Sequence, residues 1–342
     1  MEQNKLKIVL ILGSDKWGGG EKHVFDLIDN LRGHFEFVLI TKHSKTLKDI
    51  FSKFDIEHLQ WQMSFSLSNI SQHKRQIAWL NSSSANGVHC HLNDASFMLS
   101  LYRPFIQTKI ISTVHGFSSH LYYLLPHYLI SVSNAIHSYL LPMSRKKSCV
   151  IYNGVKNEEI IQKSPTKNQA YVFATIHPNK GQEFICNSLK QAECPSKITF
   201  VGTGSNNYED RLRTAMSETS PEISWIPKTG DLQKYFESAS FIIIPSFKEA
   251  LSYVALEALS RGIPVLASST GGLSEVFEDQ KHGLFFKTGD PVDFVKKLEQ
   301  MSRDHLKYKQ YLLENSFLDE NPHFKIDEMC KTISKFYLQK LI

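Results

Sequence analysis

A chain of 342 residues, 42% apolar and 21% charged, has the length of roughly two folded domains and the composition of a globular protein, which sets aside disordered and fibrous classes. No apolar stretch approaches the roughly 20 residues needed to span a bilayer, and five scattered cysteines with no Cys-x-x-Cys pair point to free thiols in a reducing cytoplasm rather than a disulfide framework. The net charge of +5 is uneven: residues 1–155 hold 16 Lys+Arg against 10 Asp+Glu, and the remainder 23 against 24, so the first half either suits an anionic partner or is an ordinary solvated face.

The N-terminus shows no small-residue cleavage pattern, so no leader peptide is expected. Residues 6–12 read as a buried strand, 18–21 as a glycine-rich loop, 22–31 as an amphipathic helix and 35–40 as the next strand. Further strands are predicted at 86–91, 109–115 and 128–133, and residues 148–155 close this unit. Residues 156–169 are polar, contain Ser164-Pro165 and read as a linker. The alternation then restarts: strand 170–175, helix 181–191, then strands 197–202, 222–226, 241–244 and 264–267. Residues 324–342 read as an amphipathic helix. Short apolar runs alternating with helices predict an α/β protein built of two doubly wound, Rossmann-like domains facing a central cleft.

The segment running from Pro245 through Glu249 to Glu257 carries the most information. A strand ends at Pro245, a loop covers residues 246–252, and an apolar helix begins near Tyr253. Free backbone N–H groups and the helix dipole at such an edge attract phosphate, and a carboxylate beside them accepts hydrogen bonds from hydroxyls. The pair suggests a nucleotide-sugar pocket; helix capping explains it equally well from this segment alone. Gly18-Gly19-Gly20-Glu21 opens a helix without the Gly-x-Gly-x-x-Gly dinucleotide pattern. His115 ends a strand beside Gly116 and is placed to bond a hydroxyl or to serve the fold. His89 and His91 share one strand face, but with no third ligand in view they read as structural rather than metal-binding. Lys180-Gly181 follows a strand and precedes a helix, where a lysine neutralises a diphosphate or simply faces solvent. Gly202-Thr203-Gly204 is another turn at the same sheet edge, and Gly271-Gly272 is expected to precede a helix starting near Ser274.

Taken in order, Gly18 to Glu21, His115-Gly116, Val132-Ser133, Asn153-Gly154-Val155, Lys180-Gly181, Gly202-x-Gly204, Pro245-Ser246, Glu249 to Glu257, Gly262-x-Pro264-Val265, Gly271-Gly272 and Glu275 resemble the family 4 retaining glycosyltransferases of the GT-B fold. The resemblance runs from residue 6 to about 295 and is most specific in the second half. It implies domains at 1–156 (acceptor side) and 157–322 (donor side), with the 323–342 helix crossing back to the first. It implies that Glu249 binds the donor sugar's hydroxyls, Glu257 the ribose and Lys180 the diphosphate. His115 would reach the donor sugar, and Gly19 and Gly20 would lie near phosphate and acceptor. Gly202 and the backbone of Ala250, Leu251 and Ser252 complete the donor site. No metal or resident cofactor is implied; a nucleotide-sugar, expected to be UDP-linked, is the co-substrate. Retention implies front-side attack, in which the departing diphosphate helps deprotonate the acceptor.

Two positions depart from the family pattern. Thr175 stands where the family has an arginine, leaving His177 or Asn179 to compensate, and Ala250-Leu251-Ser252 replaces Gly-Phe-Gly. On the acceptor side, Trp61, Phe65, Leu67 and Ile70 precede His73-Lys74-Arg75, and residues 117–128 are rich in aromatics. These either meet a membrane interface or pack a core. The expected partners are a nucleotide-sugar donor, a glycan or lipid-linked acceptor and an anionic membrane, with no nucleic acid. The expected setting is surface-polysaccharide, lipopolysaccharide or glycolipid assembly, in the cytoplasm or peripherally on the inner face of the membrane. The alternatives are a nucleotide-sugar 2-epimerase and a non-catalytic nucleotide-sugar-binding partner.

Overall fold

The computed structural model describes residues 5–64, 66–162, 168–190, 192, 195–219, 222–227 and 232–342. It divides into two compact units, Met1–Gly154 with Ile326–Ile342, and Val155–Lys325. Phe65, Cys194 and part of the expected linker lie outside the described residues.

The first unit contains β1 (Lys7–Leu12), α1 (Gly19–Leu31), β2 (Glu36–Thr41), α2 (Lys45–Phe51), β3 (Glu57–Gln60), α3 (Ile70–Ser82), β4 (Gly87–His91), α4 (Asn93–Leu101), β5 (Lys109–Val114), β6 (Tyr128–Ser131), α5 (Asn134–Tyr139), α6 (Pro142–Arg145) and β7 (Ser148–Val150). Its strands form one parallel sheet in the order β3-β2-β1-β4-β5-β6-β7. Val9 pairs with Val38 on one side and Val88 on the other. The apolar run of β1 feeds two cores by simple alternation: Ile8, Leu10 and Leu12 join one, and Val9 and Ile11 the other. A sheet buried on both faces needs such continuous apolar strands.

Helix α1 begins at Gly19, with Gly18 as its cap, so the expected loop 18–21 is largely the first turn of a helix. Gly20 is buried, and a Cβ there would lie 2.7 Å from Leu92 Cδ2. Leu92 itself sits at φ 67° as the single residue between β4 and α4. Trp61 is buried in the core, edge-on to Trp79, so it packs rather than presenting itself outward.

The second unit contains β8 (Gln169–Phe173), α7 (Gln182–Ser188), β9 (Lys197–Val201), α8 (Asn206–Ser217), β10 (Ile223–Ile226), α9 (Gln233–Glu237), β11 (Phe241–Ile244), α10 (Tyr253–Ser260), β12 (Val265–Ser268), β13 (Gly283–Phe286), α11 (Pro291–Glu314) and α12 (Phe317–Glu320). Its sheet is also all parallel, in the order β10-β9-β8-β11-β12-β13. The 24-residue α11 starts at a cap in which Asp290 accepts bonds from Val292 N and Asp293 N, with Pro291 at the first position, where its missing N–H costs nothing. The helix expected near Ser274 is instead a five-residue 3₁₀ turn, Gly271–Glu275. Gly271 has φ 50° and Thr270 gives no side-chain cap, so an α-helix has no starting point there.

The last helix, α13 (Ile326–Leu341), returns to the first unit. Met329, Ile333, Tyr337 and Leu341 recur on one face and enter the core beneath β1, the spacing an amphipathic helix requires. In both sheets the strand order reverses once, at β1/β4 and at β8/β11. Ligands of open α/β sheets bind beyond the carboxyl ends of the strands at such switch points.

Candidate active site

In the second unit the switch point is flanked by the segments after β8 and β11. The first carries Lys180 in a short 3₁₀ turn, Pro178–Lys180. Gly181 follows at φ 74°, where a Cβ would sit 2.1 Å from the Pro245 carbonyl oxygen. Only glycine fits both the left-handed backbone and that approach, so this residue holds the two segments together.

The second segment carries Glu249. Lys180 Nζ lies 2.7 Å from Glu249 Oε2, and Ser246 Oγ donates to the same oxygen at 3.0 Å. The carboxylate is 14% exposed and the ammonium 31%, enough shelter to align the pair while leaving it reachable. The loop around Glu249 is pinned from both sides. Phe247 N donates to Asn179 O at 2.8 Å, and Asn179 Nδ2 donates to Lys248 O at 2.9 Å. From the β12 side, Ser268 Oγ bonds Ser246 O at 2.6 Å, Thr270 Oγ1 bonds Phe247 O at 3.0 Å, and Gly272 N bonds Glu249 O at 2.9 Å.

Ala250, Leu251 and Ser252 are each 5% exposed. Ser252 caps α10, its Oγ accepting from Ala255 N at 3.3 Å. Glu257 lies one turn into α10 and is half-buried. Gly202 follows β9, and a Cβ there would fall 1.9 Å from Ala174 O, so its space is filled by protein backbone. Thr175 is exposed and its carbonyl accepts from Gln182 Nε2 at 3.1 Å. Asn179 is committed to the loop, whereas His177 is exposed and uses only Nδ1, as acceptor from Asn179 N at 3.1 Å. Of the two expected substitutes for the missing arginine, His177 is the one with a ring nitrogen to spare.

The switch point of the first unit holds a cluster of four histidines. His91 ends β4, His115 follows β5, His23 is on α1, and His89 lies two residues before His91. His91 Nδ1 and His115 Nε2 are 3.1 Å apart. The ring centroids of His23 and His115 are 5.0 Å apart, and those of His89 and His91 4.1 Å. His89 is held from both sides, by Tyr337 OH at 2.6 Å on Nδ1 and Thr113 Oγ1 at 2.7 Å on Nε2. His23 Nδ1 meets Asn153 Oδ1 at 3.0 Å.

Burial, with neighbouring imidazoles adding to it, keeps His89, His91 and His115 well below the ordinary imidazole range. Burial likewise lowers His23 to about 4. All four rings are therefore neutral near pH 7. His91 Nε2 is buried without a partner. An orphaned buried N–H is the rarer arrangement, so the proton of His91 belongs on Nδ1, where it is donated to His115 Nε2. His115 then carries its own proton on Nδ1, which makes no hydrogen bond among the described residues. Gly116 has nothing within 4 Å of a notional Cβ, which leaves room beside that residue. Gly19 and Gly20 form the first turn of α1 at the same switch point. Among the described residues no group of three or more His, Cys, Asp or Glu is arranged to hold a metal.

Ser246, Asn179, His91, Asn153 and His23 shape these sites; the sequence offers the first four only as motif positions, a stand-in for the missing arginine or a structural strand residue, and it does not pick out His23. His89-Cys90-His91 is visible as a spacing, but its partner His23 is 68 positions from His91 and no local pattern links them.

Residues 167–304 match the family described as glycosyl transferases group 1. The chain is 26% identical over 182 residues to an uncharacterized glycosyltransferase of Methanocaldococcus jannaschii, a stretch covering 52% of this chain and 51% of that protein. It thus spans about half the length of that curated relative. Its fold superimposes on Anabaena HepE, solved in complex with UDP-glucose, with a TM-score of 0.86 at 16% identity, covering 98% of this chain and 100% of HepE. The apo lipopolysaccharide outer core galactosyltransferase WaaB gives a TM-score of 0.72 at 18% identity, covering 98% and 100%. The fold is GT-B, with two Rossmann-like domains.

Proposed function

We propose that this chain, whose residues 167–304 match glycosyl transferases group 1, transfers a sugar from a UDP-linked donor to an acceptor hydroxyl with retention of anomeric configuration. The observation that carries the reading is the Lys180–Glu249 pair, 2.7 Å apart at the switch point of the matched domain. A cation and a carboxylate held together there match the two halves of a nucleotide-sugar, diphosphate and polyol. HepE, similar over nearly the whole chain, was solved with UDP-glucose, which supports the choice of UDP.

In this reading Lys180 turns from Glu249 to the diphosphate and stabilises the charge that grows on the leaving group. Electrostatic stabilisation of that kind usually supplies most of the rate enhancement in a preorganised site. The N-terminus of α10 adds its dipole. Glu249, released from the lysine, accepts hydrogen bonds from sugar hydroxyls, and Glu257 is assigned to the ribose. His115 donates from Nδ1 to the donor sugar, and His177 is assigned to the phosphate position that an arginine fills in the family. The departing diphosphate takes the acceptor proton in a front-side attack. A glycan or lipid-linked acceptor in surface-polysaccharide, lipopolysaccharide or glycolipid assembly fits this chemistry. Neither an epimerase nor a non-catalytic partner draws support from the family match or from the named relatives.

The test separates the two charges. UDP and UDP-glucose should each raise the melting temperature of the wild-type chain, because a ligand that binds only the folded state stabilises it. Lys180→Ala should weaken both ligands by about tenfold or more, the loss of one charge-assisted bond. Glu249→Ala should weaken UDP-glucose by a similar factor and leave UDP within about twofold. Equal effects of both substitutions on both ligands would sink the assignment.

A further inference from the structure

Residues 58–157 contain one acidic side chain, Asp94, against eight Lys+Arg, and the 63 residues from 95 to 157 contain none. Asp94 is itself paired with Lys42. The same span holds most of the exposed apolar surface. Of the twelve large apolar side chains exposed among the described residues, seven fall between Phe97 and Met143. Phe105 is 68% exposed, and Leu121 and Met143 are each 65% exposed.

These side chains share one region of the first unit. Helix α4 runs into the turn Arg103–Phe105. Ser100 Oγ donates to Tyr122 O at 2.9 Å, tying α4 to the turn His120–Tyr123. Ser144 Oγ of α6 donates to Tyr123 O at 3.0 Å, and Lys147 Nζ to Leu124 O at 2.6 Å. Helix α3 joins the same edge, with Asn81 Nδ2 donating to Phe105 O at 2.9 Å. Arg145 and Lys146 are exposed at the end of α6, and Lys74 and Arg75 on α3. Single exposed leucines need no explanation, but a group of them rimmed by charge of one sign marks an interaction surface.

The chemistry of that surface selects its occupant. A protein partner of ordinary composition carries both signs of charge, and a basic rim without carboxylates has nothing to offer its cations. An anionic bilayer meets both features: apolar side chains enter the headgroup boundary, and Lys and Arg gain from the negative surface potential. Among the described residues no helix is long and apolar enough to cross a membrane, so contact through this surface is lateral. We propose that the surface formed by the end of α4, the turns at 103–105 and 120–125, and α6 docks this chain onto the face of an anionic bilayer. The docking is independent of the transfer reaction, and vesicle binding is measured without donor, so either reading can fail alone.

The experiment is co-sedimentation of the whole chain with phosphatidylcholine vesicles, with and without phosphatidylglycerol, at low and high salt. Binding should require phosphatidylglycerol and weaken as salt screens the charges. Phe105→Glu with Met143→Glu should reduce it by about tenfold or more, since each substitution replaces an inserted apolar group with a like-signed charge. Val292→Glu with Leu306→Glu, two exposed apolar positions on α11, should leave it unchanged. An unchanged melting temperature would show the variants folded. No binding to either vesicle, equal loss in both pairs, or loss of self-association on gel filtration without loss of vesicle binding would each overturn the proposal; the last would assign the surface to a second copy.

Discussion

His91 bears on chemistry through the ring it touches. If it donates from Nδ1 to His115 Nε2, the two rings hold complementary tautomers, and His115 presents an N–H to whatever occupies the space beside Gly116. Nitrogen NMR of labelled histidine should find His115 protonated on Nδ1 in the wild-type chain, the less common form of a solvated imidazole. In His91→Phe, with its ring but no donor, His115 should shift to the Nε2-protonated form. A wild-type His115 already protonated on Nε2 would refute the assignment without any variant. At this scale the sequence is informative where a residue sits beside its own strand end, as with His115, Lys180 and Glu249. It gives Ser246 only as a motif position and His91 only as a structural strand residue, because what each does depends on a neighbour's atom rather than on spacing. It also leaves Gly20 and Gly202 open to ligand, whereas Leu92 and the Ala174 carbonyl take those spaces.

Among the elements, α13 is tied to the sheet of the first unit by one buried polar contact as well as by its apolar face. Tyr337 is fully buried, and its hydroxyl meets His89 at 2.6 Å; burial also pushes its ionisation far up. Tyr337→Phe keeps the ring and strands His89 Nδ1, which should cost about 1–3 kcal/mol in urea denaturation. No measurable loss would mean that His89 turns to another partner. The strands are legible where both faces are buried, because Ile8–Leu12 of β1, Phe37–Ile40 of β2 and Phe241–Ile244 of β11 read as unbroken apolar runs. The edge strand β3, Glu57-His58-Leu59-Gln60, lacks that signature since only one neighbour, β2, pairs with it. Helix α4 escapes a sequence reading for a different reason: it starts two residues after β4 from a leucine with no capping side chain, so no start signal precedes it.

The whole molecule distributes its titratable groups unevenly. Burial lowers seven histidines in the first unit, at positions 23, 58, 73, 89, 91, 115 and 127. It lowers three in the second, at 282, 305 and 323. A depressed folded-state value means the unfolded chain binds more protons below the ordinary imidazole value of 6.5. Stability from these groups is therefore complete above that pH and declines as pH falls toward the folded-state values, about 4 for His23. Each contributes a slope of at most about 1.4 kcal/mol per pH unit. Calorimetry between pH 7.5 and 5 should show the first unit destabilised more than the second; equal loss in both would contradict the burial argument. The first unit is also discontinuous in sequence, taking α13 from beyond the second. During synthesis, residues 155–325 emerge as an uninterrupted stretch and can fold at once, domains generally folding as units. The first sheet, made earlier, must wait for them with the core beneath β1 uncovered, because Met329, Ile333, Tyr337 and Leu341 follow residues 155–325 out of the ribosome. The order of manufacture is thus the reverse of the order of completion, and the N-terminal half is the one exposed to chaperones and to aggregation.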